Sequence, residues 1–396
     1  MRPLGGPLRL LSLFNGYRLR SIWVLVAAVI IFLLVAFVAA HSLISYETKA
    51  YLLNKATITS CNFDANVIAP ATCFGVNDYD SKIPNIVHLV YILKDPLAGD
   101  FPLQFSHYLS IYAVSKRWQP DIIYLHTNAE AEGGAVERAR NGTSGKWQKL
   151  FFEIPGLKIN TVEALSHAGN GKEIKMLEHK SDFARVKAVH DFGGIYIDLD
   201  VHALQDINPV RDAGYRSVAG RQLGGDLQSG SFMSEKGGRL VKEWMERMHI
   251  VYDGGWITHS NKLLTTIGEE IVDSEPCELL IMGRDAFAPG GWVYEDTERL
   301  YGEHDDVESN TANITQGDPL PDRNDMSAGD RPDWAFDYSC TYLLHAFSLE
   351  KPRDGVKHNR ITPQFVLERK SNFGRALYPI AKELYEKGII TIDETI

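Results

Sequence analysis

Eight residues, Ile195-Tyr196-Ile197-Asp198-Leu199-Asp200-Val201-His202, alternate apolar and polar without a break, directly after the pair Gly193-Gly194. Strict period-two alternation marks an extended strand with one buried face, and a glycine pair ahead of it is a helix stop. The pattern therefore predicts a helix over 174–192, a tight turn, and a strand over 195–202. On that strand Ile195, Ile197, Leu199 and Val201 face one way, and Tyr196, Asp198, Asp200 and His202 face the other. Two carboxylates then project side by side. Like charges so placed repel, and a cation between them removes the cost. Carboxylate oxygens suit Mg2+ or Mn2+, because both ions keep coordination positions open for phosphate oxygens. Taken alone, an Asp-x-Asp pair is equally the solvated end of a strand.

The surroundings argue for chemistry. Asp182 and Arg185 lie three residues apart in Ser181-Asp182-Phe183-Ala184-Arg185, which puts an acid and a guanidinium on one side of the predicted helix. A surface ion pair of little worth is the plain alternative. Earlier in the chain, residues 85–93 form an apolar run of strand length after Pro84. An amphipathic segment spans 101–118, and further strands are expected at 121–127 and 157–162. Strand, helix, strand in this order predicts an α/β fold with a sheet flanked by helices. In such a fold, ligands bind outside the carboxyl ends of the strands.

Residues 22–40 carry no charge for 19 positions, enough at about 1.5 Å per residue to cross a hydrocarbon core of roughly 30 Å. All four leader arginines (Arg2, Arg9, Arg18, Arg20) precede this run, and Glu47 is the first charge after it. The asymmetry predicts an N-terminal transmembrane helix of type II orientation, with the remainder across the membrane. A signal peptide cut near Val38-Ala39-Ala40 is the alternative. Asn141-Gly142-Thr143 and Asn313-Ile314-Thr315 are glycosylation sequons. Cys61, Cys73, Cys277 and Cys340 all lie beyond the span, with Cys61–Cys73 and Cys277–Cys340 the favoured pairing and buried thiols the alternative. Their spacing is not that of a zinc site. The expected organisation is a cytosolic tail (1–21), a signal anchor (22–40), a stem (41–80), a catalytic domain (81–350) and a helical extension (351–396). A formal charge of −10 with no basic stripe excludes nucleic acid as a partner.

Residues 181–200, from Ser181-Asp182-x-x-Arg185 to Gly193-Gly194-Ile195-Tyr196-Ile197-Asp198-Leu199-Asp200, resemble the sugar-nucleotide signature of glycosyltransferase family 32. That family includes fungal mannosyltransferases, mannosyl-inositol-phosphoceramide synthases and α-1,4-galactosyl- and N-acetylglucosaminyltransferases, and glucosylating toxins share the motif. The resemblance extends in outline over 83–347, through Ile83-Pro84-Asn85-Ile86-Val87-His88, Ser229-Gly230-Ser231-Phe232-Met233 and Leu344-His345-Ala346-Phe347. It implies a GT-A-like, Rossmann-type mixed sheet and retaining hexosyl transfer in the Golgi or ER lumen. The implied donor is GDP-mannose, or alternatively UDP-galactose or UDP-N-acetylglucosamine, and the implied acceptor a glycan or glycolipid. It further implies a metal held by Asp198, Asp200 and His345, with Arg185 and Asp182 on the donor and Tyr91 stacked on its base. Gly193, Gly194 and Tyr196 belong to the same donor signature.

The chain departs from the family at several positions. Leu89 and Val90 replace polar residues of the opening strand, and Gln228 is the nearest amide where an Asn is usual before Phe-Met. A Gly-Pro is missing from 258–267, and no Gly-Ser-Trp follows His345. His88, on an apolar strand, reads as a core histidine, and His202 as at most a partner of a metal ligand. Leu240, Val241, Trp244, Met245 and Met248 recur at helical spacing and read as core. The acidic, Gly- and Pro-rich stretch 302–337 reads as a solvated loop, and 363–389 as helical packing at the domain edge. Two other classes compete. A phosphohydrolase of the haloacid-dehalogenase type wants Thr or Val at the fifth motif position, where this chain has His202. A lumenal lectin has no need of Asp182 and Arg185.

Overall fold

The computed structural model describes residues 26, 29–33, 57–58, 83–275, 277–323, 331–347 and 361–394. Of the span expected at 22–40, only 26 and 29–33 fall among these, and they are helical; the expected stem is described only at 57–58. No helix among the described residues is long and apolar enough to cross a membrane. Cys61 and Cys73 lie outside the described residues, whereas Cys277 and Cys340 are both disulfide-bonded. Residues 54–396 form one compact unit.

The elements alternate as expected through the first half. They are β1 (Thr57–Ile58), β2 (Ile86–Tyr91), α1 (Phe105–Arg117), β3 (Ile122–Thr127), α2 (Gly134–Arg140), α3 (Lys146–Phe152), β4 (Leu157–Thr161), α4 (Leu177–Phe192), β5 (Gly194–Ile197) and β6 (Val201–Ala203). The second half adds α5 (Asn208–Arg211), β7 (Ser217–Arg221), β8 (Leu227–Ser234), α6 (Arg239–Val251), a wide helical turn over Thr258–Lys262, α7 (Leu263–Ser274), β9 (Leu279–Met282), α8 (Arg284–Phe287), α9 (Tyr294–Tyr301) and β10 (Leu343–His345). The chain closes with α10 (Pro363–Glu368) and α11 (Asn372–Glu386).

The main sheet runs β1-β9-β7-β8-β5-β2-β3-β4. Every neighbouring pair is parallel except β7–β8 and β8–β5, so β8 alone runs against the others. Side chains separate by strand parity. Val87, Leu89, Ile195 and Ile197 enter one apolar layer with Phe105 and Leu109 of α1 and Phe373 and Leu377 of α11. Val90, Tyr196 and Phe232 enter the opposite layer with Phe183, Val186 and Val189 of α4 and Trp244 of α6. Burial on both faces explains why β2 reads as a continuous apolar run. Capping closes the C-terminal extension: the Ser371 hydroxyl accepts from Gly374 N at 3.0 Å at the start of α11, and the Thr362 hydroxyl accepts from Phe365 N at 3.2 Å at the start of α10.

One strand departs from expectation. The alternation over 195–202 is not a single strand. β5 ends at Ile197, residues 198–200 form a turn closed by Val201 N donating to Asp198 O at 3.1 Å, and β6 resumes in a separate two-stranded sheet with β10. The physical reason is pairing. Ile197 is registered on Ser231 of β8, and Val201 on His345 of β10, so the chain changes sheets between them. Leu199 stays apolar across the break because it still packs on the core.

The glycine pair is held from β2. His88 Nε2 lies 2.7 Å from Gly193 O, and its Nδ1 lies 2.9 Å from His126 Nε2 on β3, while His126 Nδ1 lies 2.8 Å from Asn160 Nδ2 on β4. A carbonyl only accepts and an amide nitrogen only donates, so the chain has one consistent direction: Asn160 donates to His126, His126 to His88, and His88 to Gly193. Both rings must be neutral. Burial pushes His88 down to about 4 and His126 down to about 3. Gly193 (φ +70) and Gly194 (φ +109) are required at the turn, since a Cβ on Gly194 would meet Ile86 O at 2.3 Å.

This arrangement sets a pH limit on stability. Both histidines have folded pKa values below the unfolded value of about 6.5, so their contribution is complete above that pH and is lost as the pH falls through about 4. Denaturant unfolding measured from pH 7.5 to 5 should lose about 1.4 kcal/mol per pH unit for each ring once below 6.5. His126→Leu should flatten that slope by one ring's worth; an unchanged slope would show that the rings are not neutral partners.

Candidate active site

The turn between β5 and β6 decides the geometry at the carboxyl edge of the sheet. Asp198 N donates to Gly230 O at 2.8 Å, which ties the turn to the antiparallel strand β8 and brings residues 228–231 to the same edge. Asp198 and Asp200 meet because the chain turns, and not because a strand alternates. His345 arrives from β10, where it is registered on Val201, and Ala346 N donates to Asp200 O at 3.0 Å. Asp198, Asp200 and His345 each offer a donor atom, and these atoms lie within 4.8 Å of one another. His345 Nε2 is 3.5 Å from Asp200 Oδ1.

Arg185 organises the other side. Its side chain is buried, with Nη2 3.2 Å from Asp182 Oδ1 and Nη1 3.2 Å from Asp198 Oδ1, and Nη1 also donates to Ser229 O at 3.0 Å. The guanidinium lies over the Tyr196 ring at 4.7 Å. Tyr196 in turn donates its hydroxyl to Asp198 Oδ1 at 2.5 Å. Burial works against the Arg185 charge, but Asp198, Tyr196, Asp182 and Asp200 outweigh it and hold the guanidinium more firmly protonated than usual. Burial raises Asp198 above the ordinary carboxylate range, against the pull of Arg185. It raises the Tyr196 phenol as well, so Tyr196 acts as a proton donor to Asp198. Burial lowers His345 less than the Asp200 carboxylate raises it.

These contacts leave a defined gap. Asp198 Oδ1 is occupied by Tyr196 and Arg185, while Oδ2 faces Gly230 and the His345 ring. A Cβ at position 230 would stand 2.5 Å from His345 Cε1 and 2.7 Å from Asp198 Oδ2. Two carboxylates and an imidazole with donor atoms within 4.8 Å of one another, beside a position where a Cβ would press on the Asp198 carboxylate and the His345 ring, fit a divalent cation with open positions.

Each sequence-predicted residue has a definite place. Asp198, Asp200, His345, Arg185 and Asp182 converge. Tyr196 belongs to the cluster but is buried beneath it, 1% exposed, and supports Asp198 from below. Gly193 and Gly194 sit at the far end of β5, about 13 Å of strand away, and serve as the turn held by His88. Tyr91 ends β2 and packs edge-on against Phe101 at 5.8 Å. His202 bonds to neither carboxylate. It packs on Phe373 at 5.1 Å, and its ring nitrogens have no hydrogen-bond partner among the described residues.

The structure adds His259 and Asn261, which sequence reasoning did not single out, and gives Gln228 a definite partner. His259, in the wide turn Thr258–Lys262, is buried and bonds through Nε2 to Asp182 Oδ2 at 2.9 Å. Asn261 Oδ1 accepts from the Ser229 hydroxyl at 2.9 Å. Gln228 Oε1 accepts from His345 Nδ1 at 2.8 Å. The one signal for Gln228 was its position beside the Phe-Met segment.

Gly230→Ala is the sharpest test of the gap. The added methyl should abolish Mn2+ binding in calorimetric titration and leave far-UV circular dichroism unchanged, because the displaced atoms belong to the site and not to the core. Wild-type Mn2+ affinity in Gly230→Ala would show that the cation does not lie between Asp198 and His345.

Residues 115–216 match the family described as glycosyltransferase sugar-binding region containing DXD motif, a segment that includes Asp182, Arg185, Asp198 and Asp200. Glucan organizing enzyme 1 of Cryptococcus neoformans is 22% identical over 232 residues, covering 55% of this chain and 57% of that protein, so the match spans little more than half the relative's length. Among solved structures, PaToxG glycosyltransferase aligns over 60% of this chain and 81% of its own, at 14% identity and a TM-score of 0.36. The glycosyltransferase GlyE of Streptococcus pneumoniae, in its apo form, aligns over 77% of this chain and 64% of its own, at 12% identity and a TM-score of 0.37. The similarity to glycosyltransferases thus rests on the segment 115–216, which matches a sugar-binding region containing a DXD motif.

Proposed function

We propose that this protein is a membrane-anchored, lumenal, retaining glycosyltransferase of GT-A-like fold that moves a hexose from a nucleotide sugar to a glycan or glycolipid, with Mn2+ bound. The observation that carries the reading is the convergence of Asp198, Asp200 and His345 beside the Arg185–Asp182 pair, with both of those aspartates and the pair inside the segment 115–216 that matches a DXD sugar-binding region. Bound there, a divalent ion supplies charge neutralisation for the diphosphate leaving group. Asp198, Asp200 and His345 would hold it. Arg185, already fixed by four partners, places positive charge next to the donor without having to reorganise. Asp182, oriented by Arg185 and His259, accepts hydrogen bonds from sugar hydroxyls. GDP-mannose is the first donor to test, with UDP-galactose and UDP-N-acetylglucosamine as the second reading.

Placement in the Golgi or ER membrane through residues 22–40 is part of the same proposal. Both sequon asparagines, Asn141 and Asn313, are exposed, and Cys277 and Cys340 are oxidised, which supports an oxidising lumen. Protease treatment of intact microsomes should spare residues 41–396, and endoglycosidase should shift the mass of the chain. Digestion of the body from the cytosolic side would reverse the orientation.

The catalytic reading is tested with the detergent-solubilised full chain, scored for donor hydrolysis against the three nucleotide sugars with Mn2+ or EDTA. One donor should be consumed in a Mn2+-dependent way, and Asp200→Ala should lower that rate by at least about 100-fold. Hydrolysis that persists in Asp200→Ala with EDTA present would exclude the metal mechanism.

A further inference from the structure

Resting on the metal reading above, we propose that Gln228 is a positioning residue for the cation site. Its side-chain carbonyl fixes His345 in the one tautomer whose free lone pair points at the gap between Asp198 and Asp200. The imidazole is restrained on three sides. Its Nδ1 donates to Gln228 Oε1 at 2.8 Å, its face stacks on Phe347 at 3.9 Å with 20° between the planes, and its backbone is registered on Val201. A neutral imidazole carries one hydrogen, so the bond to Gln228 places it on Nδ1 and leaves Nε2, 3.5 Å from Asp200 Oδ1, as the ligating atom. The opposite orientation of the amide would put the hydrogen on Nε2 and block ligation. Metal-bound histidines in general give their second ring N–H to such an acceptor, which fixes the ring and tunes its basicity.

A second observation points the same way. Gln228 is 0% exposed, and its Nε2 has no hydrogen-bond partner among the described residues. A buried amide with one half unsatisfied is costly, and a leucine or methionine would fill the volume without that cost. The retained oxygen is the part of the side chain with a use. An uncharged acceptor also adds no fourth carboxylate to a pocket that already holds Asp182, Asp198 and Asp200.

The test uses the detergent-solubilised full chain with Mn2+ alone as the probe, titrated calorimetrically well below the melting temperature. Gln228→Leu should weaken Mn2+ binding about 10- to 100-fold, with a melting temperature of the metal-free protein equal to or above wild type. Gln228→Glu, which keeps the acceptor, should bind at least as tightly as wild type. Imidazole 15N shifts of the Mg2+-loaded wild type should show His345 protonated on Nδ1. A folded Gln228→Leu with wild-type Mn2+ affinity would overturn the proposal, and so would a loaded wild type protonated on Nε2, whether or not the variants fold. If the wild type binds neither Mn2+ nor Mg2+, the metal reading itself fails and the inference with it. Binding by the wild type with no effect of Gln228→Leu would remove Gln228 alone.

Discussion

The buried Arg185 guanidinium is the contact on which the site depends. It belongs to α4, reaches Asp198 at the end of the next strand β5, and takes the carbonyl of Ser229 from β8, so one side chain joins two consecutive elements to a third 44 residues away. Burying a charge is expensive unless it is paired and fully bonded, and here the pairing is shared between Asp182 and Asp198 with the Tyr196 ring beneath. A lysine has neither the planar fork nor the reach to serve two carboxylates and a carbonyl together. Because Asp198 is held through one oxygen by Arg185 and Tyr196, its other oxygen is oriented before any ligand arrives.

Preorganisation extends outward from that centre. His259 orients Asp182, Tyr196 props Asp198, and the Asn160–His126–His88 chain holds the glycine turn from which β5 departs. Each meets a specific partner at hydrogen-bond distance, and such networks fix a single arrangement of the chain around them. The sheet contributes through direction. With β8 antiparallel to its neighbours, residues 228–231 arrive at the edge where the parallel strands end, and so lie against the turn that carries the aspartates.

Much of this was legible in the sequence because it is local. The helix stop at Gly193-Gly194, the Asp182/Arg185 spacing and the apolar strands each express a short-range period. The break at 198–200 was invisible, since Leu199 and Val201 continue the apolar alternation although they serve different surroundings. His345 came only through resemblance, and no spacing rule connects it to Asp200. The parts played by Gly230, His259 and Gln228 stayed hidden for a related reason: each rests on a contact with a residue 32 to 117 positions away.

The pairing of β6 with β10 has a consequence for the making of the protein. Asp200 and its imidazole partner are separated by more than a third of the chain, and the short two-stranded sheet that joins them closes a long loop late. A chain emerging from the ribosome already carries the helix with Asp182 and Arg185 and the turn with Asp198 and Asp200 while residue 345 is still unmade. Such an intermediate has a cluster of carboxylates with no imidazole to complete it. The cluster of Asp198, Asp200 and His345 is therefore complete only near the end of synthesis, and a chain interrupted before β10 lacks the residue that closes it.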